Sequence, residues 1–248
     1  MRVRVLTYNI HRAIGMDRRF RLERIVEVLQ HHDADIVLLQ EVDDGAPRSG
    51  ELDLGRELAS ASGYPHLAIG HNGSLRKGRY GNATLCRFPI LRERNIDLTI
   101  GNSKRRGCQH TSLNVLGPTG KEYPLEIFNL HLGLSARERR EQIGRLVDSA
   151  EWKRIIDSPC IVGGDFNDWR SQLLPVFMEA LEFRSATLQR SGTSERCVRT
   201  YPSFAPRGSL DHLYYRGGLA LQEVGVSRLR VVRVASDHLP VIAEFQLS

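Results

Sequence analysis

The chain has 248 residues, of which 41 % are hydrophobic and 26 % are charged. This composition is ordinary for a soluble globular protein, and no apolar run approaches the length of a transmembrane helix. Lysine and arginine number 35 against 29 acidic residues, and the net charge of +6 favours an anionic partner such as nucleic acid, phospholipid or a phosphate ester. Many soluble proteins carry a similar charge without such a partner, so charge alone does not identify one.

The first part of the chain combines short apolar runs with an amphipathic helix. Residues 3–6 and 35–39 are rich in Val, Ile and Leu, which predicts two buried strands. The buried face of a helix between them is marked by Leu22, Ile25, Val26 and Leu29. The first strand pattern follows directly on Met1 without a signal peptide, and we therefore expect a cytoplasmic protein.

The second part of the chain predicts more strands and one further helix. Residues 124–130 and 160–162 are again buried-strand patterns. Ser135 and Glu138 have the spacing of a capping box at the start of a helix. Its apolar face consists of Ile143, Leu146, Val147 and Ala150. Strand-like segments follow at 210–215, 225–234 and 240–245. This order predicts an α/β fold of mixed sheets with helices outside, in a single domain spanning residues 1–248.

The cysteines have neither the spacing of a zinc site nor that of a redox pair. They are Cys86, Cys108, Cys160 and Cys197. Cys86 and Cys160 lie within apolar runs, where a cysteine usually packs as a small core residue. We therefore expect four free thiols in a reducing compartment.

Polar side chains that can bind metals or transfer protons follow the predicted strands at their ends. They are Asn9, Glu41, His131, Asp165, Asn167, Asp211, Asp237 and His238. Strand ends on a rigid sheet are where an α/β fold assembles a site. Each residue alone has an ordinary structural explanation: Glu41 could be a solvated strand end, Asn9 a turn residue and His131 a hydrogen-bonded core histidine. Asp165 and Asp237 could likewise belong to turns. Their repeated occurrence at strand ends favours a common site.

The residue types suit the hydrolysis of a phosphate ester with a hard metal ion. Magnesium takes one or two carboxylates and keeps its other positions for water and phosphate, and Glu41 helped by Asn9 or Asp237 fits such a site. The absence of a His/Cys cluster from the sequence argues against zinc. We therefore expect Mg²⁺ or Mn²⁺ as the cofactor.

A water nucleophile also needs a group that orients it or accepts its proton. Asp165 and Asn167 lie two residues apart on one strand-to-loop segment and suit this task. His238 paired with Asp211 can transfer a proton or donate to the phosphoryl oxygens. The sequence leaves open whether Asp165 or His238 is the base.

At these positions the sequence resembles the endonuclease/exonuclease/phosphatase superfamily, which contains deoxyribonuclease I, exonuclease III-like repair nucleases, neutral sphingomyelinases and inositol polyphosphate 5-phosphatases. The resemblance covers nearly the whole chain and rests on five ordered motifs. They are Thr-Tyr-Asn9, Leu-Gln-Glu41, Asn-Leu-His131-Leu, Gly-Gly-Asp165-Phe-Asn167 and Ser-Asp237-His238-Leu-Pro. The resemblance implies a four-layer α/β sandwich, with two mixed β-sheets face to face and helices outside.

The resemblance also implies roles for the matching residues. Glu41 matches the principal metal ligand, and Asn9 and Asp237 match residues that hold the same metal directly or through water. Asp165 and Asn167 match the pair that places the attacking water. The other matches are His238 as the catalytic histidine, Asp211 as its orienting carboxylate, and His131 as a phosphate-facing group. Asn82, in a segment similar to small bacterial members, either reaches the phosphate or has a strand-edge role.

The substrate is not determined by the sequence. A phosphodiester of a small molecule or a lipid headgroup is favoured, because no long basic or aromatic-rich insertion is present to hold a nucleic acid duplex. A DNA or RNA nuclease of the repair type is the first alternative, and a binding protein without turnover is the second. The run Lys104-Arg105-Arg106 could grip a polyanion or form a solvated loop. Of Arg137, Arg139 and Arg140, most are expected to face solvent. The sequence does not indicate an oligomeric state.

Overall fold

A computed structural model describes residues 1–117, 120–155, 158–191 and 194–248 of the chain. Its strands are β1 (Arg2–Asn9), β2 (Ile36–Asp44), β3 (His66–Ser74), β4 (Arg79–Cys86), β5 (Ile90–Asp97), β6 (Gly107–Leu116), β7 (Glu122–His131), β8 (Cys160–Asp165), β9 (Arg184–Ser185), β10 (Leu188–Ser191), β11 (Ser194–Cys197), β12 (Asp211–Arg216), β13 (Leu219–Val226) and β14 (Val241–Leu247). Its helices are α1 (Leu22–His32), α2 (Leu54–Ser62), α3 (Ala136–Asp148), α4 (Ala150–Arg154) and α5 (Val232–Ala235). Short helical turns lie at His11–Ala13, Pro47–Ser49 and Val176–Ala180.

The described strands form two six-stranded sheets and a separate hairpin of β10 and β11. The first sheet has the order β13-β14-β1-β2-β4-β3, and the second has the order β5-β6-β7-β8-β12-β9. Each sheet is mixed: β1 and β2 are parallel in the first and β7 and β8 in the second, whereas the other pairs are antiparallel. The parallel pairs at the two sheet centres bring strand ends with polar residues to the same edge.

Side chains on the central strands alternate between two hydrophobic layers. In β1, Val3 and Val5 belong to the core between the sheets, whereas Leu6 and Tyr8 belong to the core beneath α1 and α2. In β7 the same alternation assigns Ile127 to the core between the sheets. Phe128, its neighbour, packs in a third core with residues of α3 and α4. Because a strand directs successive side chains to opposite faces, three cores separate four layers. The predicted four-layer α/β sandwich is therefore confirmed.

The start of α3 confirms part of the predicted capping box. The Ser135 hydroxyl oxygen accepts a hydrogen bond from the Glu138 backbone N–H at 3.1 Å. The Glu138 carboxylate does not return to Ser135; it accepts a hydrogen bond from the Gln142 side chain at 3.3 Å. One of the free N–H groups of the helix is thus satisfied by the cap.

The predicted strand over residues 225–234 is wrong from residue 227 onward. Strand β13 ends at Val226, and α5 begins at Val232. Leu229, Val231 and Val232 pack into the core beneath α1. An apolar run that is buried in a loop and a short helix has the same composition as a buried strand, so the sequence pattern did not separate the two.

Two of the three arginines near the start of α3 are exposed, as expected, and the third is buried. Arg139 is 5 % exposed, and its guanidinium lies 3.2 Å from Asp168 and donates to the Leu134 carbonyl at 2.6 Å. This ion pair ties α3 to the loop that follows β8. All four cysteine thiols are free. No helix within the described ranges is long and apolar enough to cross a membrane.

Candidate functional site

Three neighbouring strands of the second sheet carry a row of polar side chains at one edge, where β7 and β8 end and β12 begins. In the strand register His131 of β7 pairs with Asp165 of β8, and Asp165 pairs with Asp211 of β12. Register partners point to the same face of a sheet. This is the face toward the first sheet, because Ile127, Ile161 and Leu213, at even spacing from these residues, belong to the core between the sheets.

The first sheet contributes an amide to the same row. Asn9, the last residue of β1, donates a hydrogen bond from Nδ2 to Asp165 Oδ2 at 3.0 Å. Both side chains are almost completely buried. The two sheets therefore meet at the carboxylate of Asp165.

The loop before β14 brings His238 to this carboxylate. His238 Nδ1 lies 2.8 Å from Asp211 Oδ2, and His238 Nε2 lies 3.7 Å from Asp165 Oδ2. Burial alone would lower the pKa of His238, but the carboxylates of Asp211 and Asp165 outweigh it and raise this pKa to about 10. The ring is therefore a cation at neutral pH, with Nδ1–H donating to Asp211.

The pKa values of Asp165 and His131 are shifted in ways that suit proton transfer. Burial raises the pKa of Asp165 to about 6, against the opposing charge of His238. His131 Nε2 lies 3.4 Å from Asp165 Oδ2, and burial together with the nearby cations Arg106 and Lys104 lowers the pKa of His131 well below its usual value. At neutral pH, His131 is therefore a neutral imidazole beside an Asp165 carboxylate that can accept a proton.

Asn167 is fixed by a left-handed backbone turn. Its φ is 51°, a conformation that asparagine adopts more readily than most residues. Its backbone N–H donates to Asp165 Oδ1 at 2.9 Å, and its side-chain Nδ2 donates to the Leu132 carbonyl at 3.0 Å. These bonds hold the Asn167 amide beside Asp165, as its place in the Asp-Phe-Asn motif predicted.

Glu41 lies in a β-bulge of the first sheet. The register of β2 with β4 shifts between Leu39 and Val42, and Glu41 itself has a φ of 56°. Bulges re-aim side chains and occur frequently next to active sites. One carboxylate oxygen of Glu41, Oε2, is buried without a hydrogen-bond partner and lies 3.3 Å from Arg12 Nε. Burial would raise the pKa of Glu41, but Arg12 and Lys104 lower it, so this side chain is ionised at neutral pH.

Arg12 reaches Glu41 from a strained turn that sequence reasoning missed. His11, Arg12 and Ala13 have φ values of 46°, 61° and 56°. Three successive non-glycine residues in the left-handed region are costly, and such strain is concentrated at functional sites. None of the three is a glycine or asparagine, so the sequence did not indicate their left-handed conformation.

Asp237 lies at the same end of the sandwich, joined to Asn9 through Ser236. The Ser236 hydroxyl donates to the Asn9 carbonyl at 2.7 Å and lies 3.3 Å from Asp237 Oδ1. In the parallel pair of β1 and β2, Asn9 lies opposite Gln40, the residue before Glu41. The structure thus connects Asn9 to the segments that carry Glu41 and Asp237.

Two sets of residues could hold a metal ion. Among the described residues Asp165, Asp211 and His238 have ligand atoms within 4.8 Å of one another. A protonated His238 bonded to Asp211 has no free ring nitrogen for a metal, so we assign this set to proton transfer. Glu41 with Asn9 and Asp237 offers oxygen donors, and the buried Glu41 oxygen that faces Arg12 without a hydrogen bond is a ligand type that hard divalent cations take. The set therefore fits the expected Mg²⁺ or Mn²⁺.

A polar network between the sheets supports the site and was also missed. Asn129 accepts from Gln40 Nε2 at 2.8 Å and donates to the Leu39 and Ala83 carbonyls at 3.2 Å and 3.0 Å. Asn82 is fully buried, and its Nδ2 donates to the carbonyls of Gly107 and Asn129. Asn82 thus lines the site while its amide joins the two sheets. The asparagine of the Asn-Leu-His131 motif was the sequence signal that could have indicated the network.

A pocket rich in cations opens beside Glu41. The space between its walls, counted together with the solvent at its mouth, is about 390 Å³. Its walls include Glu41, Tyr80, Asn82 and His131. We call it the cationic pocket after its four basic residues, which are Arg12, Arg48, Lys104 and Arg106. Of the Lys104–Arg106 run, Arg106 is 5 % exposed and Arg105 is exposed, so the run is only partly a solvated loop.

Comparisons with known proteins agree with this geometry. The model of the endonuclease/exonuclease/phosphatase family matches residues 6–238. The uncharacterized protein YbhP of Escherichia coli K12 is 32 % identical over 254 aligned positions, which cover 98 % of this chain and 96 % of YbhP. An endonuclease/exonuclease/phosphatase structure from Beutenbergia cavernae has a TM-score of 0.79 at 21 % identity, covering 100 % of this chain and 72 % of that one.

A mannosyl-6-phosphatase from Bacteroides thetaiotaomicron has a TM-score of 0.69 at 20 % identity, covering 99 % of this chain and 100 % of that one. At these identities the two structures are evidence for the fold. The family model and the relative go further, because they match the sequence over nearly its whole length. The chain therefore belongs to the endonuclease/exonuclease/phosphatase family.

Proposed function

We propose that the protein is a divalent-metal-dependent phosphoesterase that hydrolyses a phosphodiester of a small molecule or a lipid headgroup. The observation that carries this proposal is the surroundings of Asp165, whose carboxylate contacts Asn9, His131 and His238 where both sheets end. A buried carboxylate between a neutral and a charged imidazole suits the activation of water better than it suits packing. A structural neighbour is named as a mannosyl-6-phosphatase, which supports a phosphate ester as the substrate class.

In this proposal the metal would be held by Glu41, with Asn9 and Asp237 contributing directly or through water. A bound Mg²⁺ or Mn²⁺ would neutralise charge on the phosphate and on the leaving oxygen. The low pKa of Glu41 keeps its carboxylate ionised and available for the ion. Arg12, which lies 3.3 Å from Glu41, would add positive charge for the phosphate beside the ion.

The remaining residues have proposed roles in orienting the reactants and transferring protons. Asp165 and Asn167 position the attacking water, and Asp165 accepts its proton because its pKa of about 6 leaves it ionised at neutral pH. His238, charged and oriented by Asp211, donates a hydrogen bond to a phosphoryl oxygen. His131 contacts another phosphoryl oxygen through its neutral ring. Asn82 lines the pocket, and its side-chain amide holds the two sheets together there.

A substrate panel tests the proposal. It contains bis-p-nitrophenyl phosphate, a phospholipid, inositol phosphates, single-stranded DNA and abasic DNA, each with Mg²⁺ or Mn²⁺. We expect turnover of a small diester or lipid headgroup, and its loss in Asp165→Asn, which keeps the shape of the side chain but cannot accept a proton. A folded wild-type enzyme that hydrolyses nothing in the panel would support the binding-protein alternative instead.

The nuclease alternative is favoured by one observation, the cationic pocket beside the site. If nucleic acid is the substrate, the log of the affinity should fall steeply with the log of salt concentration, because each neutralised phosphate releases counterions. A slope that corresponds to several phosphate contacts would replace the small-diester proposal. We also propose a cytoplasmic location and a single domain, supported by four free thiols and by a core shared between the sheets.

A further inference from the structure

The cationic pocket contains a buried arginine without a counter-ion. Arg106 is 5 % exposed, and its Nε is buried without a hydrogen-bond partner. Within the described parts of the chain, no carboxylate oxygen lies within 4.0 Å of its guanidinium, and no acceptor is hydrogen-bonded to it. Arg106 lines the pocket wall together with Glu41 and His131.

Arg139 shows what an equally buried arginine ordinarily requires in this protein. It is also 5 % exposed, and it is satisfied by Asp168 at 3.2 Å and the Leu134 carbonyl at 2.6 Å. An arginine cannot escape the cost of burial by losing its proton, so a buried guanidinium needs an acceptor. The described residues supply no such acceptor for Arg106, and a bound anion could supply it by entering the pocket.

The other cations of the pocket add to an excess of positive charge. Arg12 is paired with Glu41, and Arg48 with Asp43 at 2.7 Å. Lys104 has no carboxylate partner within the described ranges, and its Nζ lies 5.7 Å from the centre of the Tyr80 ring. The pocket thus has four basic residues against two carboxylates, Glu41 and Asp43, and Arg106 and Lys104 are the two cations outside any ion pair with described residues. A guanidinium and an ammonium together match a phosphoryl group, which has several acceptor oxygens.

The pocket adjoins the proposed reaction centre but does not coincide with it. The two share Arg12, Glu41, Asn82 and His131, whereas Asp165 and His238 do not line the pocket. An anion held by Arg106 would therefore lie beside His131, next to the reacting phosphate. We propose that the pocket binds a second phosphoryl group of the substrate, held by Arg106 and Lys104, while the scissile phosphodiester lies at Asp165. This inference rests on the function proposed above and restricts it to diesters that carry another phosphate.

A titration with inorganic phosphate tests the pocket without any turnover. It is done calorimetrically in EDTA with the wild type, Arg106→Met and Arg105→Met, the last being a matched control because Arg105 is the exposed neighbour. We expect the wild type and Arg105→Met to bind phosphate alike and Arg106→Met to bind at least tenfold more weakly. Equal binding by Arg106→Met, or no binding by the wild type at 10 mM, a concentration on the order of weak anion sites, would overturn the inference.

A pair of substrates tests the second phosphate during hydrolysis. One is the diester of p-nitrophenol and glycerol phosphate, and the other carries an additional phosphate on the far terminal hydroxyl. We expect the wild type to prefer the phosphorylated diester at least tenfold in kcat/KM, and Arg106→Met and Lys104→Met to lower this ratio toward one. The exposed Lys104 provides a second variant in case Arg106→Met does not fold.

The outcomes separate the two proposals. A ratio of one in the wild type, or a ratio that both variants leave unchanged, overturns the phosphate pocket while the phosphodiesterase proposal stands. If the wild type hydrolyses neither diester, the phosphodiesterase proposal fails, and the phosphate titration still decides whether Arg106 binds the anion.

Discussion

At the scale of single residues, the site places one charged and one neutral histidine around the Asp165 carboxylate. His238 is a cation because Asp211 lies behind its ring, whereas His131 is neutral because it is buried and faces Arg106 and Lys104. The sequence predicted which residues would meet, because each lies beside an apolar run. In the structure Asp211 begins β12 and His238 follows α5, so not every one of them ends a strand. The sequence could not predict their charge states, because these depend on burial and on neighbours from distant segments.

A double-mutant cycle tests whether His238 and Asp211 act together. Each of Asp211→Ala and His238→Ala should lower kcat roughly 10²–10⁴-fold, the usual range for a positioned acid or base. Because the carboxylate acts only through the ring, the double variant should be little slower than the slower single variant. Turnover and melting temperature are measured for all four proteins. Additive losses, or losses confined to stability, would remove His238 from its proposed catalytic role.

At the scale of secondary-structure elements, regular strands were predictable and the departures from regularity were not. The ends of β1, β7 and β8 carry the predicted polar residues, since alternation and composition are properties of the local sequence. The bulge at Glu41 and the left-handed turn at Arg12 depend on contacts between segments, and neither has a glycine at the left-handed position that would have indicated it. These irregular places direct side chains into the site, as expected where function overrides local preference.

The ion pair between α3 and the loop after β8 gives a prediction for stability. Arg139→Met should lower the free energy of unfolding by about 3–5 kcal/mol, because it leaves the Asp168 carboxylate buried without its cation. Urea unfolding measures the loss. Arg140→Met, which removes an exposed neighbour on the same helix, should change stability by less than about 0.5 kcal/mol. Similar stabilities for the two variants would contradict the importance of the pair.

A second prediction at this scale concerns the end of α1. Burial, with the charges of His31 and Arg4, lowers the pKa of His32 to about 4, and its Nε2 lies 2.7 Å from the Ser227 hydroxyl oxygen. The unfolded chain therefore binds a proton here near pH 6.5 that the folded chain takes up only near pH 4. The stability that His32 contributes is present above pH 6.5 and is lost as the pH falls toward 4.

We expect His32→Gln to flatten the decrease in stability between these two pH values. The difference from wild type should be on the order of 1 kcal/mol, since the group is partly exposed and screened by solvent. Urea unfolding at several pH values measures it, with the exposed His31→Gln as the control. The role of His32 would be refuted if the stability of His32→Gln fell with pH as steeply as that of the wild type. It would also be refuted if His31→Gln reduced the pH dependence as much as His32→Gln does.

At the scale of the whole molecule, the four layers bring residues from distant parts of the chain to one end of the sandwich. Alternation between strands and helices predicted mixed sheets with helices outside. The four layers were implied by the resemblance to the family. The pairing of the sheets through Gln40 and Asn129 was not predictable, since a strand pattern does not reveal which sheet faces it. The predicted strand over 225–234 failed from residue 227 onward for a related reason, because Leu229 and Val231 pack against the core without forming a strand.

The most direct test of the account is the metal dependence of phosphodiester hydrolysis by the wild type and Glu41→Gln. Bis-p-nitrophenyl phosphate, or the best substrate of the panel, is followed after exhaustive removal of metal with EDTA and again after addition of Mg²⁺ or Mn²⁺. We predict no turnover in the chelated wild type, full recovery with the metal, and at least a roughly 10²-fold lower recovered rate in folded Glu41→Gln, because the change removes the proposed carboxylate ligand. Full activity of the chelated wild type, or undiminished recovery in Glu41→Gln, would contradict the account.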